Sequence, residues 1–433
     1  MHNTQQILSS LNRPVAVFGY GVSGRAIGRL LNRVGVGVEF YDQNGPAGVS
    51  RCFETFHTAR HELVIYSPGF PQNHNWLLKA RQAGLICLGE LDFASIFWKG
   101  KIVAITGTNG KTSLTKFLTE AFRLEGVDAF AVGNIGMPLC QLIPDLNSSD
   151  AVAVCEVSSF QSENMEHFVP DHVIWTNMAD DHLDRHENMS KYFDAKYRLV
   201  DCQKGGQLFV GSSVADMANE LGKTLPESTS VVNSSLVEPN LVVPRDSVFA
   251  EHPQQENYLL ARDFWNHMGL PEQTLRTAAS RFCLPRHRLQ RVAEWDGISF
   301  WNDSKATNFS ATMGALKRFG RKVHWIGGGS CKGSDLQHFA DALTPYLEGA
   351  YLIGETADSL FEHLSVRGNT FVKTYAGLQN ALLAAYMRAS KPAVVLFSPG
   401  FASFGQFKNY EERGNTFEHA VAELRQQSRL ITA

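Results

Sequence analysis

Chemistry enters this chain at a glycine-rich turn, Ile102-Val-Ala-Ile-Thr-Gly107-Thr-Asn-Gly110-Lys111-Thr112-Ser113. Ile102–Thr106 reads as a strand and Ser113–Arg123 as a helix. Glycines in such a turn let successive N–H groups face a phosphate, and the helix N-terminus adds a positive end. Lys111 would reach the outer phosphates, and the Thr112 hydroxyl would ligate Mg2+. The loop is shorter than GxxxxGK[ST], because Ile105 stands where that pattern has its first glycine. An ordinary strand–turn–helix corner is the plainer reading, but adjacent Gly-Lys-Thr between a strand and a helix points to a nucleotide.

Other residues of reactive type are spread along the chain. Glu156 ends the apolar run Ala151–Cys155, at the edge of a parallel sheet where ligands bind. With His182, from the following strand–loop unit, it suits a second Mg2+. Taken singly, the two also read as a helix-end carboxylate and a hydrogen-bonded loop histidine. Lys196 lies in the helical stretch Tyr192–Leu199 and on its own reads as a solvated lysine. Asp303 and Lys305 stand in Asn302-Asp303-Ser304-Lys305-Ala-Thr307-Asn308, a block too particular for one exposed salt bridge. Lys332 follows Trp325-Ile-Gly-Gly-Gly-Ser-Cys331, a strand into a glycine turn that only weakly imitates a phosphate loop. Near the N-terminus, Gly19-Tyr-Gly21-Val-Ser-Gly24 fits GxGxxG, and Asp42 ends the next strand 18 residues beyond Gly24. By itself this argues for a dinucleotide site, although the geometry holds any diphosphate and a tight strand–helix turn has the same letters.

The elements that must position these residues alternate between short β-branched runs and longer amphipathic segments, the sign of parallel α/β layers. Val15–Phe18, Val38–Tyr41 and Leu63–Tyr66 make a first strand series. Gly24–Val34 reads as a helix with Ala26, Ile27, Leu30, Leu31 and Val34 on one face. Ile102–Thr106, Val152–Glu156, Val173–Thr176 and Leu208–Val210 make a second series. Ile298–Trp301, Val323–Ile326, Tyr351–Ile353 and Val394–Phe397 make a third. Trp295-Asp296-Gly297-Ile298 carries the Asp-Gly signature of a hairpin. The fold class expected is α/β in three domains. These are a Rossmann-like domain over 1–97, a P-loop ATPase-like domain with a mostly parallel sheet over 98–285, and a Rossmann-like α/β domain over 286–433. Length agrees, since 433 residues exceed the ~250–300 at which one core stops growing.

Hydrophobic residues at 44% and charged residues at 19% argue against disorder. Lys+Arg at 40 against Asp+Glu at 43 leaves no basic excess to attract nucleic acid or an anionic membrane. Seven dispersed cysteines without a CxxC pair read as reduced thiols. The N-terminus lacks the pattern of a signal peptide, and no apolar run approaches the roughly 18–20 residues that span a bilayer. The expectation is a cytoplasmic monomer without nucleic-acid partners or membrane insertion.

GTNGKT in its shortened form resembles the nucleotide loop of the Mur ligases, ATP-dependent amide-forming enzymes of peptidoglycan synthesis. Further segments follow in the family's order: Asn134-Ile-Gly136, Glu156-Val-Ser-Ser159-Phe160-Gln161, and Thr176-Asn177 with Asp181-His182-Leu-Asp184. Then come Lys196, Pro285-Arg-His287-Arg288, the block around Asp303, and Ser398-Pro399 with Ser403-Phe404-Gly405-Gln406-Phe407. The resemblance spans nearly the whole chain. It implies a two-step reaction: ATP phosphorylates a substrate carboxylate, and the amine of an amino acid then displaces the phosphate. The first loop and the run SPGFASFGQFKNYEERG are most similar to the member that joins D-glutamate to UDP-N-acetylmuramoyl-L-alanine. The implied cofactors are ATP, Mg2+ at two sites, and CO2 held as a carbamate on Lys196.

Residue roles follow from the same resemblance. ATP would be held by Thr108, Asn109, Gly110, Lys111, Thr112, Ser113, Leu114, Asn257, Arg288 and Asp303, with Asp303 on ribose hydroxyls. Metal ligands would be Thr112, Glu156, His182 and carbamylated Lys196. The UDP-substrate would meet Val22, Ser23, Asp42, Gly69, Asn134 and Ser158; the amino acid would meet Thr307, Lys332, Ser403, Phe404 and Tyr410. Catalysis would fall to Lys111, His182, Lys196, Arg288 and Lys305. Arg288 would clamp phosphates from the hinge, and Lys305 would meet phosphate or the substrate carboxylate.

Three departures from the family pattern stand out. Glu256-Asn257-Tyr-Leu-Leu260 replaces His-Asn-x-x-Asn, Gly405 stands where Asp is usual, and Tyr410 replaces Phe. Competing readings are a sister ligase using L-glutamate or another amino acid, a non-catalytic nucleotide-binding regulator, and an NAD-dependent oxidoreductase built on GYGVSG. The last leaves Gly110-Lys111-Thr112 unexplained.

Overall fold

The computed structural model describes residues 3–203, 205–233, 243–331, 335–366 and 371–432, and their strands form three sheets. In the first, β1 (Val15–Phe18), β2 (Val38–Tyr41), β3 (Leu63–Tyr66) and β4 (Ile86–Gly89) run parallel in the order β2-β1-β3-β4. The second holds β5 (Lys101–Thr106), β6 (Ala129–Gly133), β7 (Val152–Glu156), β8 (His172–Trp175), β9 (Leu208–Gly211) and β10 (Ser230–Val232). Its order is β10-β9-β8-β5-β7-β6, again all parallel.

The third holds β11 (Gln290–Trp295), β12 (Ile298–Asn302), β13 (Val323–Gly327), β14 (Leu347–Leu352), β15 (Phe371–Thr374) and β16 (Ala393–Phe397). The order is β11-β12-β16-β13-β14-β15, parallel except for the β11–β12 hairpin. Asp296 and Gly297 at its turn have φ of 53° and 72°, the pair of positive values that a two-residue I′ turn requires.

Central strands of a parallel sheet are covered on both faces by their crossover helices, so they read as unbroken apolar runs. β1, β3, β7, β13 and β16 are buried at every position. The third sheet accordingly has a core on each face, one around Trp325, Phe339 and Leu360 and the other around Phe300, Tyr351 and Phe417. Among the described residues, no helix is long and apolar enough to cross a membrane.

Contacts group the chain into two compact units. One comprises the described residues of Met1–Met178, Ser190–Val237 and Asn257–Ala279; the other those of Ala179–Met189, Glu238–Glu256 and Ser280–Ala433. The first unit carries the first two sheets, joined through two buried carboxylates on the helix Glu90–Phe97. Glu90 accepts the Cys140 N–H at 2.8 Å. Asp92 accepts the N–H groups of Glu166, His167 and Phe168 at 2.8–3.2 Å. Burial pushes the Glu90 carboxyl up to about 7, against the Cys140 N–H.

Candidate functional site

In the first unit the phosphate loop follows β5, and the helix Lys111–Leu124 starts at once behind it. Gly110 has φ +85°, and a Cβ there would lie 2.5 Å from Asn257 Oδ1, so the Asn257 carboxamide rests against the loop. Lys111 Nζ donates to the carbonyls of Gly107 and Thr108, both at 2.8 Å. Lys196 Nζ donates to the same Gly107 carbonyl at 2.9 Å. Read alone from its helical stretch, Lys196 was a solvated residue; it is 1% exposed. It lies on the buried face of the helix Met189–Cys202, between Tyr192 and Leu199, with Nζ 4.7 Å from the Tyr192 ring centroid. Leu114 is fully buried and its N–H already donates to Gly110 O. Leu260, 1% exposed, fills a core position of its helix, which explains why an apolar residue is accepted at the departure noted there.

Glu156 ends β7 and is 2% exposed. Its Oε1 accepts Asn134 Nδ2 at 2.8 Å, and its carbonyl accepts the Asn134 N–H at 2.8 Å. Its Oε2 is buried with no hydrogen-bond partner, as are the hydroxyls of Thr106 and Ser113. A buried carboxylate oxygen without a donor is costly. A hard divalent cation, which prefers oxygen ligands, satisfies it, so these residues fit Mg2+. Among the described residues, no cluster of three or more His, Cys, Asp or Glu side chains is assembled for a metal held by protein alone.

The first sheet changes winding direction between β1 and β3, the place where open parallel sheets bind ligands. A cavity of about 440 Å³ lies there, and all four residues expected around the UDP from the first domain, Val22, Ser23, Asp42 and Gly69, line it. Ser67 lines it as well, with a buried hydroxyl that has no partner. Asp42 is held in place by the N–H groups of Tyr20 at 2.7 Å and Asn44 at 2.9 Å. Asn134 and Ser158 do not line this cavity: Asn134 braces Glu156, and Ser158 caps the short helix Ser159–Ser162.

The second unit carries the rest. His182 has φ 55°, and its Nε2 lies 3.6 Å from Asp181 Oδ2, which also accepts Asn308 Nδ2 at 2.9 Å. Arg288 is flanked by His287 at φ 62° and Leu289 at φ 43°, two non-glycine residues in the left-handed region. Asp303, expected on ribose hydroxyls, is buried, and its oxygens accept the Leu289 N–H at 3.0 Å and the Ser398 hydroxyl at 2.8 Å. It therefore ties the segment after Arg288 to the C-terminal end of β16. Burial pushes this carboxyl up to about 7, with the Ser398 hydroxyl, the Leu289 N–H and Arg288 opposing.

Lys305 Nζ lies 3.7 Å from the Tyr410 ring centroid, a cation–π contact that the family's phenylalanine would make equally well. Ser403 is buried, whereas Phe404 is 65% exposed. Thr307 is half-buried. Lys332 lies outside the described residues.

Arg413 was not anticipated. It is 1% exposed and donates to Ser304 Oγ at 3.0 Å, Ser304 O at 2.8 Å and Phe401 O at 3.0 Å. One guanidinium thus joins the loop bearing Lys305 and Thr307 to the loop bearing Ser403 and Phe404. Burial lowers its pKa to about 9, against the charge of Asp303. A signal was present: Arg413 falls in phase with Phe417, Ala420, Val421 and Leu424, the buried stripe of the last helix.

Residues 105–260 match the Mur ligase middle domain. Over nearly its full length the chain is similar to proteins named UDP-N-acetylmuramoylalanine--D-glutamate ligase. The one from Protochlamydia amoebophila is 32% identical over 436 residues, covering 94% of this chain and 97% of the relative. The one from Koribacter versatilis is 31% identical over 450 residues, covering 96% and 98%. Among solved structures, MurF from Acinetobacter baumannii has a TM-score of 0.60 at 12% identity, covering 96% of this chain and 98% of that one. UDP-N-acetylmuramate-alanine ligase from Thermotoga maritima has a TM-score of 0.58 at 15% identity, covering 96% and 100%. At those identities the structural likeness concerns the fold.

Proposed function

The chain belongs to the Mur ligase family, and from that premise we propose that it joins D-glutamate to UDP-N-acetylmuramoyl-L-alanine at the expense of ATP. The observation that carries this reading is the phosphate loop with buried Lys196 beneath it and the unpartnered Glu156 oxygen at the next strand end. We divide the work among three domains, 1–97 for the UDP-substrate, 98–285 for ATP and 286–433 for the amino acid. The protein works as a monomer in the cytoplasm.

Thr108 through Leu114 cradle the nucleotide, with Asn257 against the loop, and Lys111 swings from its two carbonyls onto the outer phosphates. Val22, Ser23, Asp42 and Gly69 receive the UDP, so the GxGxxG loop serves a diphosphate without a nicotinamide. Asn134, braced on Glu156, and Ser158 face the same substrate. Mg2+, held by Thr112, Glu156, His182 and a carbamate on Lys196, would screen charge between the substrate carboxylate and the γ-phosphate. Arg288 and Lys305 offset the remaining negative charge, and Asp303 orients Arg288. Thr307, Lys332, Ser403, Phe404 and Tyr410 hold the amino acid. His182 would stand beside the incoming amine, an ammonium that must shed a proton before it can attack.

The carboxylate oxygen attacks the γ-phosphorus and ADP leaves; the amine then adds to the acyl carbon, and phosphate departs with the former carboxylate oxygen. With substrate labelled by 18O in that carboxylate, the released phosphate will carry one 18O. Unlabelled phosphate from a turning-over enzyme would sink the acyl-phosphate reading.

A further inference from the structure

Thr176-Asn177, just past β8, has no part in the roles above, yet the pair grips the phosphate loop from outside. The Asn109 N–H donates to Asn177 Oδ1 at 2.8 Å, and Asn177 Nδ2 donates back to Asn109 O at 3.2 Å. Asn109 O also accepts the Thr176 hydroxyl at 2.6 Å, and the Thr108 N–H donates to Asn177 O at 3.0 Å. Thr176 is 1% exposed. Gly107 has φ +136°, and a Cβ there would lie 2.0 Å from Thr176 Oγ1, so the glycine is what lets the hydroxyl reach the loop.

These bonds fix the rotation of one peptide plane. The carbonyl of Asn109 and the N–H of Gly110 belong to the same trans peptide and point in opposite directions. With the carbonyl drawn to the end of β8 by two donors, the Gly110 N–H is turned away from β8, in the sense that lets it join the loop's phosphate-facing amides. We propose that Asn177, seconded by Thr176, is a positioning residue for the nucleotide, acting through Asn109 to set the amide that greets the phosphates. This rests on the reading that the loop binds ATP.

Titration calorimetry with ADP and Mg2+, beside separate titration of the UDP-substrate, tests it. Asn177→Ala should weaken ADP binding about tenfold or more, leave UDP-substrate affinity within about twofold, and keep the melting temperature within about 2 °C. Thr176→Val, which keeps the buried shape, should weaken ADP about threefold, whereas Thr176→Ser should match wild type. ADP affinity within about twofold of wild type in Asn177→Ala would overturn the proposal, as would parallel loss of both ligands. Should Asn177→Ala not fold, Thr176→Val decides: wild-type ADP affinity there overturns the clamp. Wild-type protein that bound no ADP would overturn the nucleotide reading itself, and the clamp with it.

Discussion

Lys196→Ala is expected to lower turnover by about 10²–10³, the loss typical of one preorganised electrostatic contact, and acetate is expected to restore part of it. The side chain is 1% exposed, rests above the Tyr192 ring and donates to Gly107 O in the phosphate loop. Two losses are therefore joined in the alanine variant. One is a brace under the loop, which Lys111 shares at the same carbonyl. The other would be the proposed anionic ligand, formed when Nζ bonds the carbon of CO2 and gives up a proton. Acetate supplies a carboxylate but no brace. Rescue of turnover by acetate, rising with its concentration, identifies the carbamate as the dominant loss. Inactivity that acetate leaves untouched points to the brace, and unchanged turnover contradicts both.

Glu156→Gln carries the second large effect. The substitution keeps side-chain size and the acceptor for Asn134 Nδ2, but replaces the unpartnered Oε2 with an amide NH2. If that oxygen awaits Mg2+, turnover should fall by about 10² or more, and the Mg2+ concentration for half-maximal rate should rise. UDP-substrate binding in the first-domain cavity should be unaffected, because Glu156 does not line it. A Mg2+ titration superimposable on wild type would contradict the assignment.

Much of this was legible in the sequence, and what was not shares a physical cause. The strands read from apolar runs, such as Val15–Phe18, Leu63–Tyr66 and Val152–Glu156, match β1, β3 and β7 residue for residue. The five strands without such a signal, β4, β6, β10, β11 and β15, are all sheet edges. Their burial is partial at many positions, so they lack the continuous apolar run of a strand covered on both faces. The site divides in the same way. Backbone-dictated features, the glycine turn after β5 and the GxGxxG turn after β1, could be placed from local pattern, whereas Val22, Ser23, Asp42 and Gly69, which line the cavity, came from the family resemblance. Contacts made by side chains distant in sequence could not. Nothing near Asp303 announces its bonds to Leu289 and Ser398, and nothing near Asn134 announces its grip on Glu156. Arg413 was hidden by residue type, since a buried arginine is rare without several acceptors, and those come from Ser304 and Phe401.

The acceptor assay reaches the central claim most directly. ADP release would be followed with ATP, Mg2+ and UDP-N-acetylmuramoyl-L-alanine while D-glutamate, L-glutamate, lysine and diaminopimelate are offered in turn. The account predicts stimulation by D-glutamate alone, with one ADP formed per amide bond. Stimulation by another of these amino acids in place of D-glutamate, or by none of them, would contradict it.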